Sequence, residues 1–167
     1  MVVTVQDGLP DQEPVGTIKP GRPIVDDSGN NVVEDIGGGR FVTYAHLKPG
    51  TIPAAVRQGA RLSTGQLIGH VGCSGNCLAP HLHFQVQDGP DHYDATGLPF
   101  VFDTQLLEGR APEPPVGADI TIPIADWFKG VPQTIDRTGA GVRRGQMPER
   151  NGVFGYNYPI PVASNGG

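Results

Sequence analysis

Arg40-Phe41-Val42-Thr43-Tyr44-Ala45-His46-Leu47 reads as one extended strand, because hydrophobic and aromatic side chains recur at every second position. By that period Val42, Tyr44 and His46 share one face, and Phe41, Thr43 and Ala45 share the other. About 35 residues further on, Pro80-His81-Leu82-His83-Phe84 opens a second strand that runs to Val86. Its two histidines project together, roughly 7 Å apart along the backbone, while Leu82 and Phe84 point the opposite way into a core. Imidazole is a common metal ligand and titrates near neutral pH, so two on one rigid face suit metal binding or acid–base work.

The rest of the chain follows the same grammar. Its 167 residues hold 25 glycines and 17 prolines, and short apolar runs alternate with Gly, Pro, Asn and Asp punctuation. No amphipathic helical period stands out, so the expected fold is all-β. Val2–Val5 is a candidate first strand. Residues 7–39 are expected to form a long polar excursion ending in Gly37-Gly38-Gly39. Ala55–Gly69 is expected to form two short strands joined by glycine turns, and Gly97–Phe102 a further apolar segment. After about residue 111 the composition shifts, with 17 Pro and Gly among the last 57 residues. The expected organisation is a domain over 1–110 followed by a Pro/Gly-rich, poorly structured C-terminal tail over 111–167, pinned by Trp127 and Phe128.

Several function classes are excluded at this point. A formal charge of −5, with 12 basic residues scattered singly, offers no surface for nucleic acid. No apolar run is long enough to span a membrane. The first residues, Met1-Val2-Val3-Thr4-Val5-Gln6-Asp7, lack the basic and apolar regions of a signal peptide. Cys73 and Cys77 bracket a glycine-containing loop, which suits a local disulfide in an oxidising compartment. Zinc ligation by the same pair is the alternative, although no second cysteine pair completes a structural site.

Together these pieces resemble the lysostaphin/LytM-type zinc endopeptidases, which cut peptide cross-links in bacterial cell walls. The resemblance rests on Tyr44-Ala45-His46-Leu47, on Val56-Arg57-Gln58-Gly59 through Gly65-Gln66-Leu67-Ile68-Gly69, on Gly72-Cys73-Ser74-Gly75 and on Pro80–Phe84, in that order. It covers roughly residues 1–105. It implies an antiparallel, barrel-sandwich-hybrid-like β-sheet core with a groove across the sheet, a peptidoglycan peptide as substrate, and a cell-envelope or extracellular location. It also implies roles: His83 as a zinc ligand, and His46 and His81 as the pair that orients and deprotonates the attacking water and stabilises the oxyanion.

The same resemblance implies a His-x-x-x-Asp element supplying two more zinc ligands, and no such spacing occurs in this sequence. The expectation is therefore a truncated and inactive form, unless an aspartate or histidine of the 7–39 excursion or the 88–94 loop completes the site. A non-catalytic LytM-type regulator or wall-binding module is the alternative. Retention of both His81 and His83 favours truncation over degeneration. A cupin reading fits Gly75 six residues before His81, but Gln87 and Asp88 stand where a glutamate belongs and the second cupin element is absent. The Val56–Gly69 segment resembles half of a biotinyl/lipoyl carrier without its lysine. His70 is expected to be structural, His92 solvated in an acidic loop, and Asp7, Asp11, Asp26 and Asp27 turn residues.

Overall fold

The computed structural model describes residues 1–12, 27–77, 79–113, 134–150 and 152–155, and all its regular structure there is β. Seven strands form two antiparallel sheets. They are β1 (Val2–Gln6), β2 (Asn30–Gly37), β3 (Arg40–Leu47), β4 (His83–Gln87), β5 (Phe102–Arg110), β6 (Gly141–Gln146) and β7 (Gly152–Gly155). The first sheet has the order β1-β2-β3-β4 and the second β6-β5-β7. They belong to separate compact units, Met1–Leu98 and Pro99–Gly167. The anchoring expected of Trp127 and Phe128 lies outside the described residues.

The polar excursion expected over 7–39 contains a strand. β2 lies between β1 and β3, with Val32 opposite Val5 and Tyr44, and Val33 opposite Thr4 and Thr43. Only two adjacent valines mark it, because Val32 and Val33 are each buried on a different face and their neighbours are Asn, Glu and Asp. Gly37-Gly38-Gly39 is then the connection to β3 and not the end of a loop. Gly38 and Gly39 have φ of 65° and 71°. Two successive positive φ values are what a tight hairpin turn demands and what residues with a Cβ resist.

Ala55–Gly69, expected as two strands, is instead a series of turns. The bonds Val56 N–H to Pro53 O, Ala60 N–H to Arg57 O and Gln66 N–H to Ser63 O each close over three residues. The segment lies along β1, where Val2 N–H donates to Ala60 O and Gly59 N–H to Val2 O, both at 2.8 Å. Its glycine-spaced apolar residues serve the core without a ladder of their own. Val56 joins Val2, Val32 and Leu47 in the buried cluster, with Tyr44, Ile52, Leu62 and Ile68 packed around it.

This cluster defines the inner face of the first sheet. Tyr44 pairs with Phe84 and Val42 with Val86 on that side, and the Tyr44 and Phe84 rings meet edge to face at 5.5 Å. The opposite face carries Thr43 against Gln85 and Ala45 against His83. It is polar where the inner face is apolar, and the candidate site lies there. In the second unit, β5 runs through Phe102–Arg110, later than the expected Gly97–Phe102 segment, and pairs with β6 and β7. Two stretches beyond residue 111 are thus strands.

Candidate functional site

His46 breaks the alternation that β3 otherwise keeps. Between the pairs Val32–Tyr44 and Asn30–Leu47, β2 advances two residues while β3 advances three. The extra residue is a bulge, and His46 has a φ of 61°, a region that side chains other than glycine seldom enter. Strict period two would place His46 with Tyr44 and Val42 in the core; the bulge instead turns its ring to the polar face. The main chain of the bulge is held on both sides, with His46 N–H donating to Ser28 O and Gly72 N–H donating to His46 O, each at 3.0 Å.

The three histidines singled out in the sequence come together. The His46 ring centroid is 4.7 Å from that of His81 and 5.7 Å from that of His83. Among the described residues each ring has one nitrogen hydrogen-bonded and one left over. His46 Nδ1 donates to Ser74 O at 2.9 Å. His81 Nδ1 donates to Ala79 O at 2.7 Å. His83 Nε2 bonds Gln85 Oε1 at 3.2 Å. Because carbonyls and amide oxygens only accept, these contacts leave lone pairs on His46 Nε2, His81 Nε2 and His83 Nδ1.

Burial governs the electrostatics of His46, which is only 6% exposed. Desolvation lowers its pKa to about 4, against the opposing effect of the Ser74 hydrogen bond, and the neighbouring histidines His81, His83 and His92 push it down further. The ring is neutral at physiological pH, with a fixed tautomer.

The loop that supplies Ser74 O is fastened at many points. Cys73 and Cys77 are joined by a disulfide, which removes both sulfurs from metal ligation. Ser74 Oγ donates to Leu47 O at 2.8 Å and accepts from Asn30 N–H at 2.9 Å. Asn76 N–H donates to Asp27 O at 2.7 Å, and the Gln12 amide donates to Gly75 O. Asp11, expected as a turn residue, accepts from Cys73 N–H through Oδ1 at 2.8 Å. Gly29 and Gly75 let two main chains touch: a Cβ on Gly29 would stand 2.3 Å from the Ser74 carbonyl carbon, and one on Gly75 2.3 Å from Gly29 N.

A cleft of about 180 Å³ opens beside the histidines, lined by Asp27, Ser28, Thr43, His46, His83 and His92 among others. His92, expected in solvent, is half-buried here, with Nε2 2.6 Å from Ser28 Oγ. Its loop is folded inward by paired bonds at its base, Asp88 N–H to Thr96 O and Thr96 N–H to Asp88 Oδ1. Nothing in Asp88-Gly89-Pro90-Asp91-His92 announces that closure, since the bonds are formed with residues eight positions away. His70 stands apart from the cleft, exposed, with its N–H on Thr51 Oγ1.

A catalytic zinc needs three protein ligands and an open position. Among the described residues no group of three or more His, Cys, Asp or Glu side chains is placed to hold a metal. The described donors by themselves do not fit a zinc centre. No solved structure gives a significant match to the chain. The model of the family described as peptidase family M23 matches residues 9–95.

Proposed function

Because the chain belongs to peptidase family M23, we propose that residues 1–98 form a peptidase domain directed at peptides of the bacterial cell wall, in the cell envelope or outside it. The observation that carries this reading is the gathering of the His81 and His83 rings around His46 beside the cleft, each ring with one nitrogen that has no hydrogen-bond partner among the described residues. In this reading His46 Nε2, neutral and held at a fixed angle, orients the attacking water and takes its proton. His81, exposed and with its ring 4.7 Å from that of His46, would stabilise the oxygen of the tetrahedral intermediate. His83, with Nδ1 left over, would be the one ligand among these three histidines for the zinc that the family uses. Among the described residues no helix is long and apolar enough to cross a membrane.

In this reading the chain does not itself supply the two further ligands, since it holds no His-x-x-x-Asp spacing. The 167 residues alone are therefore inactive in this reading. A second reading, compatible with the described residues offering no three-ligand group, is a non-catalytic module that binds the wall or activates another hydrolase. Zinc titration and peptidoglycan digestion, run on this chain and on a longer form carrying an upstream His-x-x-x-Asp element, separate the two. Cleavage by the longer form only is the expected result. Wall binding without cleavage by either form selects the non-catalytic module. Tight zinc binding and cleavage by the short chain would overturn the ligand count.

A further inference from the structure

His83, Gln85 and Gln87 occupy alternate positions of β4 and so share one face of the strand. Their side chains form a single file. His83 Nε2 lies 3.2 Å from Gln85 Oε1, Gln85 Nε2 donates to Gln87 Oε1 at 3.0 Å, and Gln87 Nε2 donates to Gly89 O at 2.8 Å. Gln87 is fully buried.

The file has only one consistent direction. The Gly89 carbonyl accepts and cannot donate, so it draws the amide nitrogen of Gln87 and turns Gln87 Oε1 toward Gln85. That oxygen in turn draws the amide nitrogen of Gln85 and turns Gln85 Oε1 toward His83. An amide oxygen facing the ring requires a proton on His83 Nε2, which leaves the lone pair on Nδ1. Reversing either amide would bring two acceptors or two donors face to face inside the sheet, at a cost of about 1–3 kcal/mol.

We propose that Gln87 and Gln85 are positioning residues that set the tautomer of His83, transmitting the fixed polarity of the Gly89 carbonyl to the histidine ring. Neither glutamine touches the cleft chemistry. Their effect is to make Nδ1 the nitrogen offered to whatever enters the site. The relay rests on the reading of His83 as a site residue, yet its readout needs neither substrate nor metal, so failure of the peptidase assignment leaves it testable.

The test is long-range ¹H–¹⁵N spectroscopy of the histidine rings in the full chain, at a pH where the imidazoles are neutral, with the His83 signals identified by their loss in His83→Gln. The unmodified protein is expected to show a protonated, pyrrole-type Nε2 and a pyridine-type Nδ1 at His83. Gln87→Met removes both ends of the link and frees the Gln85 amide to reverse, so the two signals should average or exchange places. Adding Gln85→Glu to Gln87→Met supplies an acceptor to His83 without the relay and should restore the original pattern, which a merely structural role of Gln87 would not do. If Gln87→Met fails to fold, Gln85→Met, at a half-buried position, carries the same expectation. A protonated Nδ1 at His83 in the unmodified protein would overturn the proposal, as would an unchanged tautomer in the folded methionine variant.

Discussion

His46 concentrates the demands of the site on one residue. It sits at a positive φ, is nearly enclosed, and keeps one nitrogen on Ser74 O. Its lowered pKa ties folding to pH. Above about pH 6.5 the ring is neutral in both the folded and unfolded chains. As pH falls the unfolded chain takes up the proton first, so stability declines progressively toward the folded value of about 4. The loss reaches up to about 3 kcal/mol, and burial of His92 acts in the same direction. Urea midpoints measured from pH 4 to 8 should rise to a plateau, and His46→Asn should flatten that rise; an unchanged slope in the variant would assign the effect to other groups. Thr43 gives a second test. Its buried hydroxyl has no hydrogen-bond partner among the described residues, so Thr43→Val should leave stability unchanged or raise it by up to about 1–2 kcal/mol in thermal unfolding. The sequence made the three histidines legible because Tyr-x-His and His-x-His are local patterns. The face of His46 was not legible, since a bulge depends on the register of the neighbouring strand.

The loop 72–77 is the element on which the site depends most. It supplies the carbonyl that holds His46, and it rests on Gly29 through main-chain contact. Gly29→Ala would combine that contact with a φ of 62° and should cost at least about 2 kcal/mol. The loss should appear in thermal unfolding together with displaced amide signals for Cys73–Cys77. Reducing the disulfide should matter less, because the bridge spans a sequence separation of only 4. Chain entropy assigns a loop of that size about 2 kcal/mol at most, which denaturant titration with and without reductant can check. Among the strands, β1, β3 and most of β4 were readable from alternation. β2 was hidden by its polar neighbours, and Ala55–Gly69 imitated strands because its apolar residues reach the core from turns. Both errors share a cause: the partner of each segment lies elsewhere in the chain, as with Val2 and Ala60.

For the whole molecule, the division falls after Leu98, whereas composition suggested residue 110. Composition detects where Pro and Gly accumulate; it does not detect that β5 pairs with β6 and β7. A fragment ending at residue 98 should keep the first sheet and the histidine contacts, seen as unchanged amide signals for β1–β4. One ending at residue 110 would carry β5 without its two partners and should aggregate more readily. The pairing of Val2 with both β2 and the 59–60 turn also has a consequence in time. The first strand of the chain finds its neighbours 32 and about 58 residues away, in Glu34 and Ala60, and the sheet is completed only by β4. Apart from the β2–β3 hairpin, the pairings of this sheet are distant in sequence, so loop-closure entropy must be met before the rest of the burial returns anything. Synthesis must therefore run nearly to the end of the first unit before the order β1-β2-β3-β4 can close. Until then the nascent chain carries open strand edges, the kind of exposed surface through which unfinished chains associate.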